Sequence, residues 1–171
     1  MVEHSKLCRC SCDTHRHEEQ HGHKHSKDCQ VTTAIEVLKK AGLKYTKKRE
    51  KMIEVFITEN RYLSARQVQE ILTKEYPSLS YDTIYRNLYT YVSLNILEET
   101  ELNGEKLFRF RCQTHSHHHH FICEKCGRTK EIPICPMDYF EDQLKDCQIT
   151  SHRFEIFGIC DYCLTHNSED L

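Results

Sequence analysis

The sequence predicts an α+β protein in which a helical unit ending in a β hairpin precedes a smaller unit of strands and helix. Three observations support this class. Apolar residues recur with a helical period through the middle of the chain, polar and apolar residues then alternate around Asn103-Gly104, and two Cys-x-x-Cys pairs follow. Together they predict ordered domains at 31–111 and 112–171, preceded by a polar tail at 1–30.

The tail is rich in metal-binding side chains and poor in apolar ones. Residues 1–30 hold four cysteines and six histidines. A segment of this composition cannot bury a core. We therefore expect a disordered tail that attracts metal ions, with an extension of no specific role as the alternative.

Four amphipathic helices are expected next, because apolar side chains recur every three to four positions. Capping residues precede three of them: Thr46, Ser64, and either Ser80 or Asp82. Ser64 and Gln67 also have the spacing of a capping box. The predicted inward-facing residues are Ala34, Ile35, Leu38 and Ala41; Met52, Ile53, Phe56 and Ile57; Val68, Ile71 and Leu72; and Ile84, Leu88, Tyr91 and Val92.

A β hairpin is predicted after the fourth helix. Ile96–Leu102 and Glu105–Arg111 read as strands, and Asn103-Gly104 between them suits a type I′ turn, which needs positive φ at both central residues. Helices followed by a hairpin of this kind predict a winged helix, a helix-turn-helix with a β wing.

The second ordered unit is predicted to have β-α-β order. Strands are expected at Phe121-Ile122 and Thr129–Ile132, on either side of the first Cys-x-x-Cys pair. A helix is expected from Met137 to Cys147, and a last strand from Ile149 to Ile159. The second cysteine pair follows that strand directly.

Composition indicates the cellular compartment in which the protein is expected. The chain has 171 residues, 11 cysteines, 13 histidines and a net charge of -2. It contains no apolar run long enough to cross a bilayer and no signal-peptide pattern, so a cytoplasmic protein without a membrane partner is expected. In a reducing cytoplasm, paired cysteines favour a metal over disulfides.

The two cysteine pairs predict a structural zinc site. Cys123, Cys126, Cys160 and Cys163 offer four thiolates, the ligand set of a closed tetrahedral zinc centre. Gly127 helps the first turn. The rival interpretation is a thioredoxin-like redox pair, which normally lies at the N-terminus of a helix after a strand and has no need of a second pair.

The histidine run before the first pair suggests further metal sites. On an extended strand His118 and His120 point to one face and His117 and His119 to the other, so one run can serve two sites. Cys112 could join His118 and His120, and a thiolate with imidazoles favours Zn²⁺ over ferrous iron. The alternative is a solvated polar loop, the better interpretation for His115.

A DNA-binding surface is predicted on the fourth helix. Tyr85 and Arg86 stand near its start, where a helix-turn-helix protein reaches base edges. Arginine suits guanine, and tyrosine suits a thymine methyl group or a phosphate. Plain surface residues are the alternative. Lys44, Tyr45 and Arg49 could contact the DNA backbone or minor groove, within a basic cluster that otherwise reads as a solvated helix face.

Two motifs resemble the ferric uptake regulator family. They are Asp82-Thr83-Ile84-Tyr85-Arg86-Asn87-Leu88 and His118-His119-His120-Phe121-Ile122-Cys123-Glu124-Lys125-Cys126-Gly127. The resemblance covers about residues 31–163 and includes Leu43–Arg49. Tyr45-Thr46, Phe108–Cys112 and Cys135-Pro136-Met137-Asp138 most resemble the zinc uptake regulator branch in Gram-positive bacteria.

The resemblance implies a homodimeric repressor that binds palindromic double-stranded DNA and represses zinc uptake genes. It implies structural zinc at the four cysteines and regulatory zinc at a hinge, bound by Cys112, His118 and His120, with Glu98 as fourth ligand. Zinc there would close the dimer onto its operator. A third site would comprise His117, His119, Asp138 and His152. The implied DNA-contacting residues are Tyr85, Arg86, Lys44, Arg49 and Thr83.

One departure from the family pattern bears on the metal. Iron-sensing and peroxide-sensing members place a histidine where this chain has Tyr62, and they lack a thiolate equivalent to Cys112. Both differences favour zinc. Glu99 and Glu131 remain alternatives to Glu98 as the carboxylate ligand.

Other functions stay open at the level of sequence. An iron- or peroxide-responsive regulator is the nearest alternative, and a zinc storage or delivery protein is one of a different class. An enzyme is not expected, because no HExxH or HxE…PCxxC pattern is present. Cys135 and Cys147 have no assigned role and are expected to be buried thiols.

Overall fold

The computed structural model describes residues 26–111, 118–141 and 143–166. The chain divides into two compact units, with the boundary between Arg111 and Cys112. None of the helices in the described ranges is both long and apolar enough to cross a membrane.

Four helices build most of the first unit. They are α1 (Lys27–Lys40), α2 (Lys47–Glu59), α3 (Ala65–Leu72) and α4 (Tyr81–Ser93). Helix α1 begins four residues before the predicted start of the domain, because the hydroxyl of Ser26 accepts a hydrogen bond from the Cys29 amide and caps it. Cys29, which sequence reasoning placed in the tail, therefore lies in the first turn of a helix.

The predicted helix caps are confirmed. Thr46 accepts from the Arg49 amide, and Ser64 and Gln67 form the reciprocal capping box. For α4 the structure decides between the two candidates. Ser80 is the cap and accepts from the Thr83 amide, whereas Asp82 lies in the first turn.

One apolar core holds these helices together. Most of the predicted inward-facing side chains are buried, including Leu38, Phe56 and Leu88. Ala41 is exposed, because α1 ends at Lys40 and Ala41 only caps it. Ile71 and Val92 are half-buried at the margin of the core.

The predicted wing is confirmed and has one additional strand. Strands β2 (Leu97–Leu102) and β3 (Glu105–Phe110) pair antiparallel, with Leu102 opposite Glu105. Asn103 and Gly104 have φ of +52° and +80°, as a type I′ turn requires. Sequence reasoning missed β1 (Leu63–Ser64), whose two residues pair with β3 and complete a sheet of order β1-β3-β2.

The second unit is a sheet of order β5-β4-β6. Strand β4 (His119–Cys123) lies in the centre, antiparallel to β5 (Thr129–Ile132) and parallel to β6 (Glu155–Gly158). Helix α5 (Met137–Glu141) lies between β5 and β6 in the chain, and helix α6 (Asp161–Thr165), which sequence reasoning missed, follows β6.

Two predicted elements of this unit were too long. The helix expected to reach Cys147 ends at Glu141, and turn-type hydrogen bonds such as Cys147 N to Leu144 O replace it. The strand expected from Ile149 is limited to four residues, because only those four pair with β4.

The cap of α4 supports a first prediction. Replacing Ser80 with alanine removes the acceptor for the Thr83 amide, so the free energy of unfolding should fall by about 1 kcal/mol. The measurement is urea unfolding followed by circular dichroism. The matched control is Ser78→Ala, an exposed serine two residues earlier that caps no helix. Its effect should stay within about 0.5 kcal/mol. Equal losses for both variants would refute the role of Ser80.

Candidate metal centres and nucleic-acid interface

Four thiols meet at one point of the second unit. The Sγ atoms of Cys123, Cys126, Cys160 and Cys163 all lie within 4.8 Å of one another. Cys126 Sγ and Cys160 Sγ are 3.7 Å apart. Two thiolates bound to one tetrahedral zinc at about 2.3 Å are separated by about 3.8 Å. The thiols thus have the spacing of a structural zinc centre.

Two short turns position these cysteines. Cys123 ends β4, and Gly127 closes the turn with a φ of +70° and a hydrogen bond from its amide to the Cys123 carbonyl. Cys160 follows β6 and caps α6, which carries Cys163. The cluster therefore joins the end of the central strand to the end of the unit.

Backbone amides stabilise the thiolate form of one cysteine in the cluster, which favours binding of a cation. Burial opposes ionisation of Cys123, but the amides of Cys160, Cys126 and Lys125 stabilise its thiolate and lower its pKa to about 6. Burial, followed by hydrogen bonds with the other three cysteines, raises the pKa of Cys163 to about 12. Four thiolates at this separation need a cation to ionise together, and a zinc ion supplies one.

One structural observation supports the redox interpretation and another opposes it. Cys160 does lie at the N-terminus of a helix after a strand, as a thioredoxin-like pair would. Both pairs, however, converge on one point as free thiols. A two-cysteine redox centre has no use for that convergence, whereas a metal centre requires it.

The histidines alternate faces along the strand as predicted. The rings of His118 and His120 lie 4.8 Å apart, centroid to centroid, on one face. His119 is directed to the other face, 5.2 Å from the ring of His152. The implied ligands Cys112 and His117 lie outside the described residues, as does His115.

Carboxylates flank His120 on the neighbouring strands. Glu131 of β5 and Glu155 of β6 are its cross-strand partners, so they share its face of the sheet. Glu155 also accepts a hydrogen bond from Arg153. Glu131, the alternative carboxylate ligand, is thus one of two carboxylate register partners of His120.

Glu98, the other implied ligand, is positioned by its neighbours in the first unit. It lies on β2, where its Oε1 atom accepts a hydrogen bond from the Tyr62 hydroxyl at 3.2 Å. The guanidinium of the buried Arg109 lies 3.5 Å from the same oxygen. Tyr62 itself is buried. The Glu99 carboxylate instead accepts a hydrogen bond from the Lys106 ammonium group, with 2.6 Å between Nζ and Oε1.

The third implied site gains an unexpected member. His119 and His152 do come together, and Cys135 joins them, with all three ligand atoms within 4.8 Å. The side chain of Asp138 lies outside the described part of the chain. Sequence reasoning gave Cys135 no role, because it lies 17 residues from His152 and forms no short-spacing motif with either histidine.

The candidate DNA-contacting face of α4 carries a ladder of tyrosines. The ring of Tyr81 stacks on that of Tyr85, and the ring of Tyr85 meets that of Tyr89 edge-on. The hydroxyls of Tyr85 and Tyr89 lie 3.0 Å apart. Arg86 stands beside them with its side chain 79% exposed, paired to Asp82 at 3.0 Å. Because that ion pair is in water, Arg86 can exchange it for a base or phosphate at little cost.

The remaining candidates for DNA contact differ in exposure and in the hydrogen bonds that their side chains already form. Lys44 is exposed. Thr83 shares a hydrogen bond with Ser80 at the cap of α4. Arg49 is half-buried and donates to Asn87 Oδ1 at 3.1 Å and to the Lys44 carbonyl, so it joins α2 to α4. The structure therefore gives Arg49 a positioning role in addition to its predicted one.

A winged helix followed by a thiol-clustered sheet defines a class, the metal-dependent transcriptional regulators. Comparison with known proteins identifies the family within this class. The model of the ferric uptake regulator family matches residues 40–157. The ferric uptake regulation protein of Staphylococcus epidermidis is 50% identical over 130 residues, which cover 76% of this chain and 93% of that protein. The chain belongs to the ferric uptake regulator family, whose members are transcriptional regulators and not enzymes.

Solved structures agree on the fold. The ferric uptake regulator of Vibrio cholerae superposes with a TM-score of 0.58 at 28% identity, covering 73% of this chain and 98% of that chain. A zinc uptake regulator complexed with zinc and DNA superposes with a TM-score of 0.62 at 18% identity, covering 83% and 97%. The second likeness concerns the fold alone.

The thiol cluster supports a second prediction. Cys126→Ser removes one of its four ligands, so the purified protein should lose about one equivalent of tightly held zinc per chain. Metal analysis after dialysis against a weak chelator measures this. The control is Cys147→Ser, an exposed thiol outside the cluster, which should keep the wild-type content. Equal zinc content in both variants would exclude the cluster as a zinc site.

Proposed function

We propose that this protein is a zinc-responsive transcriptional repressor that binds a palindromic operator as a homodimer and represses zinc uptake genes. The observation that carries the proposal is the combination of a winged helix with clustered thiol and imidazole ligands. Family membership supports metal-dependent repression in general. The donor chemistry supports zinc in particular, because thiolates and imidazoles prefer it to harder metals.

In this proposal the four-cysteine cluster holds structural zinc, and a second zinc is regulatory. Its ligands are Cys112, His118 and His120, with Glu98 as the fourth. Zinc shifts the homodimer toward the conformation that binds DNA, by binding that conformation more tightly. Support comes from the paired rings of His118 and His120 and from the hydrogen bond by which Tyr62 orients Glu98.

The tyrosine beside Glu98 also favours zinc over iron. Tyr62 stands where iron-sensing relatives carry a histidine, and its hydroxyl donates to the carboxylate. A phenol in this role orients a carboxylate ligand, whereas a histidine would add an imidazole ligand of its own.

Exposed apolar side chains support the proposed homodimer. Among the described residues, ten of the thirteen large exposed apolar side chains belong to the second unit. Tyr139 and Ile134 are 75% and 74% exposed. Surface of this kind marks an interaction site, and a second copy of the chain would cover it.

Iron remains the second candidate, because the Staphylococcus epidermidis relative is named a ferric uptake regulation protein. Glu131 opposite His120 offers the carboxylate that ferrous iron prefers over a thiolate. Anaerobic DNA binding measured with Zn²⁺, Fe²⁺ and Mn²⁺ at buffered free concentrations separates the two. Activation by Fe²⁺ at its cellular concentration, with none by Zn²⁺, would overturn the zinc proposal.

DNA contact generates a third prediction. Arg86→Ala should weaken operator binding by about 1–3 kcal/mol and relax preference at one base pair. Lys44→Ala should weaken binding to all sequences alike and reduce the salt dependence by about one ion. Fluorescence anisotropy at several salt concentrations measures both effects.

The control for charge is Lys130→Ala, an exposed lysine of β5 in the second unit. It should bind operator and random DNA like the wild type. If Arg86→Ala lost affinity equally for operator and random DNA, its predicted role in reading bases would be wrong.

Regulation generates a fourth prediction. Cys112→Ser should keep the structural zinc but require at least about tenfold more free zinc for operator binding, since a thiolate ligand is lost. Zinc-buffered anisotropy titrations measure the shift, with Cys147→Ser as the matched thiol control. An unchanged zinc midpoint in Cys112→Ser would remove Cys112 from the regulatory site.

A further inference from the structure

A second cluster of metal-ligating atoms lies on the face of β4 opposite to His118 and His120. It consists of His119, Cys135 and His152, whose ligand atoms all lie within 4.8 Å of one another. These residues are distant in sequence and come from three segments. His119 begins β4, Cys135 follows β5, and His152 precedes β6. The sheet order β5-β4-β6 brings all three segments to one end of the sheet.

The distances suit a metal ion. Cys135 Sγ lies 3.4 Å from His152 Nε2. A thiolate at about 2.3 Å and an imidazole at about 2.0–2.1 Å from one tetrahedral zinc are about 3.6 Å apart. The rings of His119 and His152 are 5.2 Å apart at an angle of 54°, so the two imidazoles converge without stacking.

The surroundings hold the site in place while leaving it accessible. His119 is buried, 5% exposed, and the ring of Phe154 packs edge-on against it at 5.4 Å. Cys135 is half-buried and His152 is exposed. One ligand is therefore fixed in the sheet, while the other two face an open side through which an ion can enter and leave.

We propose that His119, Cys135 and His152 form an exchangeable zinc site in which Cys135 supplies the thiolate. The set implied by family resemblance for this region, His117, His119, Asp138 and His152, contains a carboxylate and no thiol. A thiolate ligand changes the chemistry, because it selects zinc over the harder ferrous and manganous ions. Three protein ligands with an open side bind less tightly than the four-thiolate cluster, so this site fills at higher free zinc.

This site is separate from the proposed regulatory site and does not depend on DNA binding. It shares no residue with Cys112, His118, His120 and Glu98. Its failure would leave the proposed function intact, and the reverse also holds.

The experiment measures the alkylation rate of each cysteine in the full-length protein by peptide mass spectrometry. The four-cysteine cluster is first filled with one equivalent of zinc, and free Zn²⁺ is then raised in buffered steps. Cys135 should become at least about tenfold slower to react, because a metal-bound thiolate is a poor nucleophile. Cys147, an exposed thiol near α5 and outside both clusters, is the internal control and should not change.

Two variants make the result specific. His152→Ala alters an exposed residue and should abolish the protection of Cys135 while leaving the four clustered cysteines protected. Cys112→Ser should retain the protection of Cys135. The proposal is overturned if zinc does not slow Cys135, if protection survives His152→Ala, or if it disappears in Cys112→Ser, which would attribute it to the regulatory site.

Discussion

The convergence of four cysteine thiols is the interaction on which the second unit depends. Among its described residues only Ile122, Cys123 and Cys163 are buried apolar side chains, so this unit has almost no conventional core. In a sheet with so little buried apolar area, a metal link would help to offset the entropy of ordering the chain. Zinc bound by the four cysteines would provide that link between the end of β4 and the start of α6. The pairing of β4 with β5 and β6 in turn positions the histidines at its other end.

The first unit is stabilised by different means. Its helices share a continuous core of buried apolar residues, and its polar links serve orientation more than stability. Arg49 joins α2 to the exposed face of α4 through Asn87, and the Tyr91 hydroxyl donates to the Arg49 carbonyl. The candidate recognition helix is thereby fixed relative to the basic segment before it. In the proposed DNA complex, a rigid α4 would reduce the entropy lost when Tyr85 and Arg86 are ordered on binding.

The histidines at the start of strand β4 contribute to different sets of candidate metal ligands on its two faces. One face presents His118 and His120, and His120 lies between Glu131 and Glu155, whose carboxylates suit both hard and borderline metals. The other face presents His119 to a thiol and a second imidazole. Because side chains alternate with a period of two, the three consecutive residues His118, His119 and His120 supply histidines to both faces.

Local sequence determined much of this protein by itself. The caps Thr46 and Ser64, the Asn103-Gly104 turn and the Cys-x-x-Cys knuckle each depend on residues within four positions of one another, so spacing alone revealed them. The same holds for the alternation of the histidines. The length of β6 was not a local matter, because the strand is limited to the residues that pair with β4. The two-residue strand β1 could not be predicted from local sequence either, because it exists only through its pairing with β3.

Tertiary structure alone decided which distant side chains meet. No spacing rule joins Cys135 to His119 and His152, and only the order of strands in the second sheet brings them together. The second role of Arg49, which joins α2 to α4, likewise followed from packing. The physical reason is the same throughout. Hydrogen-bonded turns and caps are encoded by neighbours in the chain, whereas ligand sets and interhelical links depend on how separate segments pack.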